Sequence, residues 1–145
     1  MGELRPQYHS RHVRDGTHVW DVRRLARMAA GLVPERVALA DLSELDENWW
    51  YDDGDRVPTP RAITDHMRLV LAVDPRFPII LCAEGRLMDG MHRIISALLR
   101  GEDTISAVRF PVTPPPDHRN VPLSALPHEQ TGRSSFAGWP PLGPA

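Results

Sequence analysis

No lysine occurs among the 145 residues, and all 17 basic side chains are arginine. This excludes a phosphate-loop lysine, Schiff-base chemistry and a lysine nucleophile. Phosphate recognition would have to use arginine, histidine and backbone N–H groups. The single cysteine, Cys82, excludes an internal disulfide and a cysteine zinc cluster. The seven histidines lack the His-Glu-X-X-His spacing of a zinc site. Positive charge is not in excess, since the formal net charge is -2. No broad field exists to hold duplex DNA, so DNA is not an expected partner and any anion site must be local. No segment approaches the roughly 18 apolar residues of a membrane span, and no apolar N-terminal run with a cleavage site stands out. A cytoplasmic protein without a membrane partner is the expectation.

A hydrophobic content of 41% suffices for one modest core. The pattern predicts a small α/β (α+β) domain with a mixed sheet, packed helices and a proline-rich C-terminal arm. Residues 1–17 are polar without an apolar period and read as a flexible arm. Residues 18–110 carry the folded domain. A helix is predicted over 18–30 from Val22, Leu25, Ala26 and Ala29, and a strand over 37–42. Thr59-Pro60 opens a second helix as cap and first-turn proline, with Ile63, Met67, Val70 and Leu71 on one face until Asp74-Pro75. Residues 78–83 and 86–88 read as short strands around a Glu84-Gly85 turn. A third helix starts at Asp89 or Gly90, with Met91, Ile94, Ile95, Leu98 and Leu99 at helical spacing before Gly101 ends it. Residues 104–110 form a closing strand. Nine of the fifteen prolines lie at or after Pro111, so residues 111–145 read as an extended tail, with Phe136 or Trp139 able to dock it.

The chemistry concentrates where the strand before Asp89 meets the third helix. The first N–H groups of a helix lack partners and the helix dipole is positive there, which favours an anion. Gly90 permits close approach of the backbone, Met91 follows, and His92 and Arg93 add directed donors. On spacing alone a plainer reading is equally good: Asp89 caps the helix, Gly90 serves a tight turn, and Arg93 is solvated. Seven acids lie between Asp41 and Asp55. They form a solvated loop, or else they supply Mg2+ ligands beside a phosphate. The adjacent Trp49, Trp50 and Tyr51 point to anchoring of that loop in the core more than to base stacking. His66 reads as packed and Cys82 as a buried core thiol.

The order strand, glycine turn, His-Arg, apolar helix, glycine, strand resembles the phosphate-binding motif of the ParB/sulfiredoxin-like superfamily, over residues 37–110. Sulfiredoxins have Gly-Cys-His-Arg where this chain has Gly90, Met91, His92 and Arg93. Met91 therefore replaces the nucleophilic cysteine, and sulfiredoxin chemistry is not expected. The form Asp89-Gly90-Met91-His92-Arg93 is closer to the Asp-Gly-His-His-Arg of free-serine kinases. That likeness, with ParB proteins binding CTP through a related turn, implies a phosphotransferase or nucleotide hydrolase that takes ATP or CTP at the turn with Glu47 or Glu44 as catalytic base. The acid cluster itself would supply Asp46 and Glu47 to Mg2+, and Asp89 could join as catalytic base or ligand. The partner would be a small hydroxyl-bearing substrate. The alternative is a non-catalytic nucleotide-binding regulatory module related to chromosome-partitioning ParB. The DNA-binding and dimerisation domains that follow the nucleotide site in ParB are not expected within these 145 residues.

Overall fold

The computed structural model describes residues 7–51 and 56–126. The chain divides into two compact units, residues 1–31 with 114–145, and residues 32–113. The sequence pattern instead placed the boundaries after residues 17 and 110 and pointed to one modest core. The difference arises because chain beyond Thr113 returns to pair with the N-terminal segment.

In the first unit, β1 (Tyr8–Val13) and β2 (Gly16–Asp21) form an antiparallel hairpin with His9 opposite Trp20. Residues 8–13 are thus a strand and not a flexible arm, while residues 1–6 lie outside the described residues. Only His9 of β1 is buried, so the strand carries almost no apolar alternation to read. The helix α1 (Val22–Ala29) starts four residues later than expected, because His18–Asp21 belong to β2. Asp21 caps it, with Oδ1 accepting from the Arg23 N–H at 2.9 Å.

The strand β7 (His118–Arg119) pairs with the free side of β2, giving the order β1-β2-β7. The Pro114 carbonyl accepts from the buried Trp20 Nε1–H at 2.9 Å. The Asp117 carboxylate accepts from the Asp21 N–H at 2.8 Å and pairs with Arg24 at 3.0 Å. The start of the proline-rich segment is therefore part of the fold and not an extended tail. Residues 127–145, with Phe136 and Trp139, lie outside the described residues. Truncation after Val112 should cost the first unit on the order of 1–3 kcal/mol at Trp20 Nε1 alone, since a buried donor loses its acceptor, and should strip β2 of a neighbour. Amide and indole hydrogen exchange would report it. Unchanged protection at Val19 and at Trp20 Nε1–H would contradict the prediction.

The second unit holds a mixed sheet of order β3-β6-β4-β5, made of β3 (Glu35–Ala38), β4 (Ile79–Leu81), β5 (Leu87–Asp89) and β6 (Thr104–Arg109). β6 runs antiparallel to β3 and parallel to β4, and β4 and β5 form a hairpin. The helix α3 (Met91–Leu99) is the crossover between that hairpin and β6. It closes as its glycine suggested. Gly101 has φ +75°, its N–H reaches the Leu98 carbonyl, and Glu102 N–H reaches that of Ala97, both at 3.0 Å. The helix α2 (Pro60–Ala72) opens on Thr59, whose Oγ1 accepts from the Ala62 N–H at 3.1 Å.

The strand expected over 37–42 is shifted. It ends at Ala38, and residues 39–41 and 43–46 form 3-10 turns that bury Leu39, Leu42 and Glu44. These leucines join Ile79, Leu81, Leu87, Met91 and Ile94 in the core, with Trp49 and Trp50 packed at its margin. A fully buried leucine or isoleucine contributes about 1.5–3 kcal/mol, so the acidic segment is pinned by its apolar members. Among the described residues no helix is long and apolar enough to cross a membrane.

Candidate functional site

Gly90 stands at the N-cap of α3 with φ 122° and ψ 19°, a conformation that favours glycine, and offers no side-chain cap. The space above it is also filled. A Cβ there would lie 2.5 Å from Ile79 Cγ2 and 3.0 Å from Arg93 Nη2. The cap reading of Asp89 therefore does not hold as stated. Asp89 is the last residue of β5, and its Oδ2 accepts from Arg93 Nη2 at 2.7 Å, one helical turn on. Burial pushes the Asp89 carboxyl above its usual range, against the opposing effect of Arg93. Arg93 is not a solvated surface residue either, its side chain being only 15% exposed. Asp89 orients the guanidinium through one nitrogen, and the planar fork has further donors to offer an anion. Met91 is buried in the core, so it can serve the turn only through its backbone N–H.

His92 occupies the first turn of α3 and lies 2.9 Å, Nε2 to Nδ1, from His66 of α2. One proton lies between these two nitrogens. The indole of Trp50 covers both imidazoles, stacked on His66 with centroids 3.7 Å apart at 13°, and on His92 at 5.0 Å and 20°. Burial, His66 and Arg93 together lower the His92 pKa to about 4, and burial lowers that of His66. Both rings are neutral at pH 7, so His92 is a directed hydrogen-bonding group in this turn and not a cation. Trp50 thus serves as the expected core anchor and also as the roof over a histidine pair. Sequence reasoning left His66 as a packed residue. Its place on the α2 face opposite α3 becomes visible only when the two helices meet.

The acids expected at the turn are engaged elsewhere. Arg86, just before β5, holds Glu47 through two bonds of 2.8 Å each and Ser43 Oγ at 3.1 Å. The bond to Arg86 keeps the Glu47 carboxyl below its usual range. Glu44 is buried, accepts from the Leu87 N–H at 3.1 Å, and lies 3.6 Å from Arg86 Nε. That contact is two residues, about 7 Å of strand, short of Asp89. Asp46 is exposed. Asp52, Asp53 and Asp55 lie outside the described residues.

Among the described residues no three His, Cys, Asp or Glu side chains gather as a metal site. An arginine already spans both oxygens of Glu47. Glu47 is thus engaged by Arg86 and Glu44 by the Leu87 N–H, away from the Asp89–Arg93 turn. Sequence reasoning missed Arg86 because it treated the acid run and the strand as separate features. Cys82 is fully buried, with its thiol 3.2 Å from Glu84 Oε2, in keeping with its core reading.

Comparison of the chain with models of protein families, with curated proteins and with solved structures finds no match.

Proposed function

We propose that this chain is a nucleotide-binding module that takes the phosphates of ATP or CTP on the turn Gly90, Met91, His92 and Arg93. The observation that carries this reading is the Asp89–Arg93 pair at 2.7 Å across an α3 N-terminus that has no side-chain cap. A pre-positioned guanidinium then stands beside backbone donors, which is the arrangement that phosphate favours. The likeness of Asp89–Arg93 to the free-serine kinase and ParB turns supports the nucleotide as the source of that phosphate. The binding-module form is preferred to the phosphotransferase form because Glu44 and Glu47 are committed to Leu87 and Arg86. A general base must reach the proton it removes.

The test is thermal unfolding with each of the four ribonucleoside triphosphates, with and without magnesium. A nucleotide at 100 times its dissociation constant should stabilise the protein by about 2.7 kcal/mol. Simple Arg93→Ala is a poor control, because it would strand Asp89 as a buried unpaired acid. The double variant Asp89→Asn/Arg93→Gln removes both charges and is expected to fold yet lose the nucleotide effect. No stabilisation of the wild type by any nucleotide, phosphate or sulfate would refute the reading. Turnover of a nucleotide that falls by about 10²- to 10⁴-fold in Glu47→Gln would replace the module by an enzyme with Glu47 as base.

A further inference from the structure

A second feature of the residue 32–113 unit runs along α3 from Arg93 to Arg100. A cavity of about 190 Å³ opens between the chain after α2, the β3–β6 pair and the end of α3. Arg36, Arg93 and Arg100 line it together with Glu102, Ser106 and Phe77. It holds the volume of about six liquid waters, which is below the usual range of drug-sized pockets.

The charges around it do not cancel. Arg93 is matched by Asp89 at 2.7 Å and Arg100 by Glu102 at 3.2 Å. Among the described residues Arg36 donates only to neutral oxygens, with Nε and Nη2 reaching Thr104 Oγ1 at 3.2 and 2.9 Å and Nη2 also reaching the Thr104 carbonyl at 2.9 Å. Three guanidinium groups against two carboxylates leave one positive charge. Arg36 faces Ser106 in the β3–β6 register, so the unmatched cation and a hydroxyl sit side by side at the cavity wall. Opposite in character is Phe77, 47% exposed, which gives the same cavity an apolar side.

We propose that this cavity binds a small organic monocarboxylate, its carboxylate held by Arg36 and Ser106 with Arg100 adjacent, and its apolar body against Phe77. One residual positive charge matches one carboxylate, and Arg36 Nη1, which Thr104 does not engage, can donate to it beside the Ser106 hydroxyl. A phosphate dianion would exceed that charge and would have to draw Arg100 off Glu102. Arg93 lines both this cavity and the turn, whereas Arg36, Arg100, Ser106 and Phe77 all lie outside residues 89–93.

The experiment is an NMR titration of the full chain, labelled with ¹⁵N, using benzoate as the probe and benzamide as its uncharged counterpart. Benzoate should give saturable shifts at Arg36 Nε–H and at the Phe77 and Ser106 amides. Benzamide should give none at the same concentrations. Arg36→Gln, on an exposed strand position, should weaken benzoate by about tenfold or more, the loss of one charge-assisted contact. Phe77→Ala should weaken it without altering the Arg36 response at saturation. Equal binding of benzamide, shifts that do not saturate, or undiminished binding to Arg36→Gln would each overturn the proposal. Nucleotide stabilisation that persists in Arg36→Gln while benzoate binding is lost would keep the two sites separate. A wild type that takes benzoate and no nucleotide would refute only the function proposed for the turn.

Discussion

Gly90→Ala should lower folding stability by on the order of 3–4 kcal/mol, a large part of the 5–15 kcal/mol typical of a domain. Two independent costs add. The backbone at φ 122° is one that an L side chain adopts only under strain of about 1–3 kcal/mol. The new Cβ would meet Ile79 Cγ2 at 2.5 Å and Ile79 Cβ at 2.9 Å. Ile79 is fully buried, so it cannot move aside, and overpacking of this kind costs about 1–3 kcal/mol. Gly101→Ala is the natural comparison. Its φ is +75° but nothing lies within 4 Å of the added methyl, so only a backbone cost of about 1 kcal/mol is expected. Urea unfolding of both variants would separate the terms. Equal losses in the two would show that Ile79 does not press on the turn.

The second large effect is a loss of stability on mild acidification. His92 is neutral in the folded protein, with its pKa lowered from 6.5 to about 4 by burial, His66 and Arg93. In the unfolded chain it titrates near 6.5. Above pH 6.5 neither state takes up the proton, and the full stability is present. Between about 6.5 and 4 the unfolded state binds a proton that the folded state refuses, so stability falls with pH and levels off below about 4. From pH 7 to pH 5 His92 alone should remove about 2 kcal/mol.

His66 adds to the loss in the same direction. Its pKa is lowered by burial and by Arg56, against Asp65, which raises it. The lowered carboxylates act in a different window. Asp74, held at about 2 by Arg76, and Glu47, lowered by Arg86, lose their contribution only as pH falls through and below the ordinary carboxylate range. Urea unfolding at steps between pH 7.5 and 5, followed by tryptophan fluorescence, therefore reports the histidines against Asp89, whose raised carboxyl works in the opposite sense as pH falls. His92→Gln should flatten the profile over this interval. A wild type whose stability does not change from pH 7 to pH 5 would contradict the buried neutral pair under Trp50.

Local signals in the chain foretold the helices α2 and α3 closely. Thr59-Pro60 and Gly101 act through their own backbone geometry, and the apolar spacing of residues 91–99 has one reading. Gly90 was legible as the place where the chain turns from strand to helix. The mixed sheet followed from short apolar runs separated by turns. The hairpin of residues 8–21 was not legible, because β1 buries only His9 and the strand β7 that flanks β2 on its other side comes from chain a hundred residues away. The acid run was ambiguous for a similar reason. Each carboxylate takes its role from the cation that arrives beside it, and Arg86 reaches Glu47 across 39 positions. Likewise His66, Trp50 and His92 share no spacing that a linear pattern could join, yet the packing of α2 on α3 sets their rings in one stack. Residue types and local turns were thus decided along the chain, where each conformational preference is a property of a few neighbouring residues. The pairing of charges, the neutrality of the histidines and the net charge of the Arg36 cavity were decided by tertiary structure, because charge pairing and burial depend on groups that are distant in sequence.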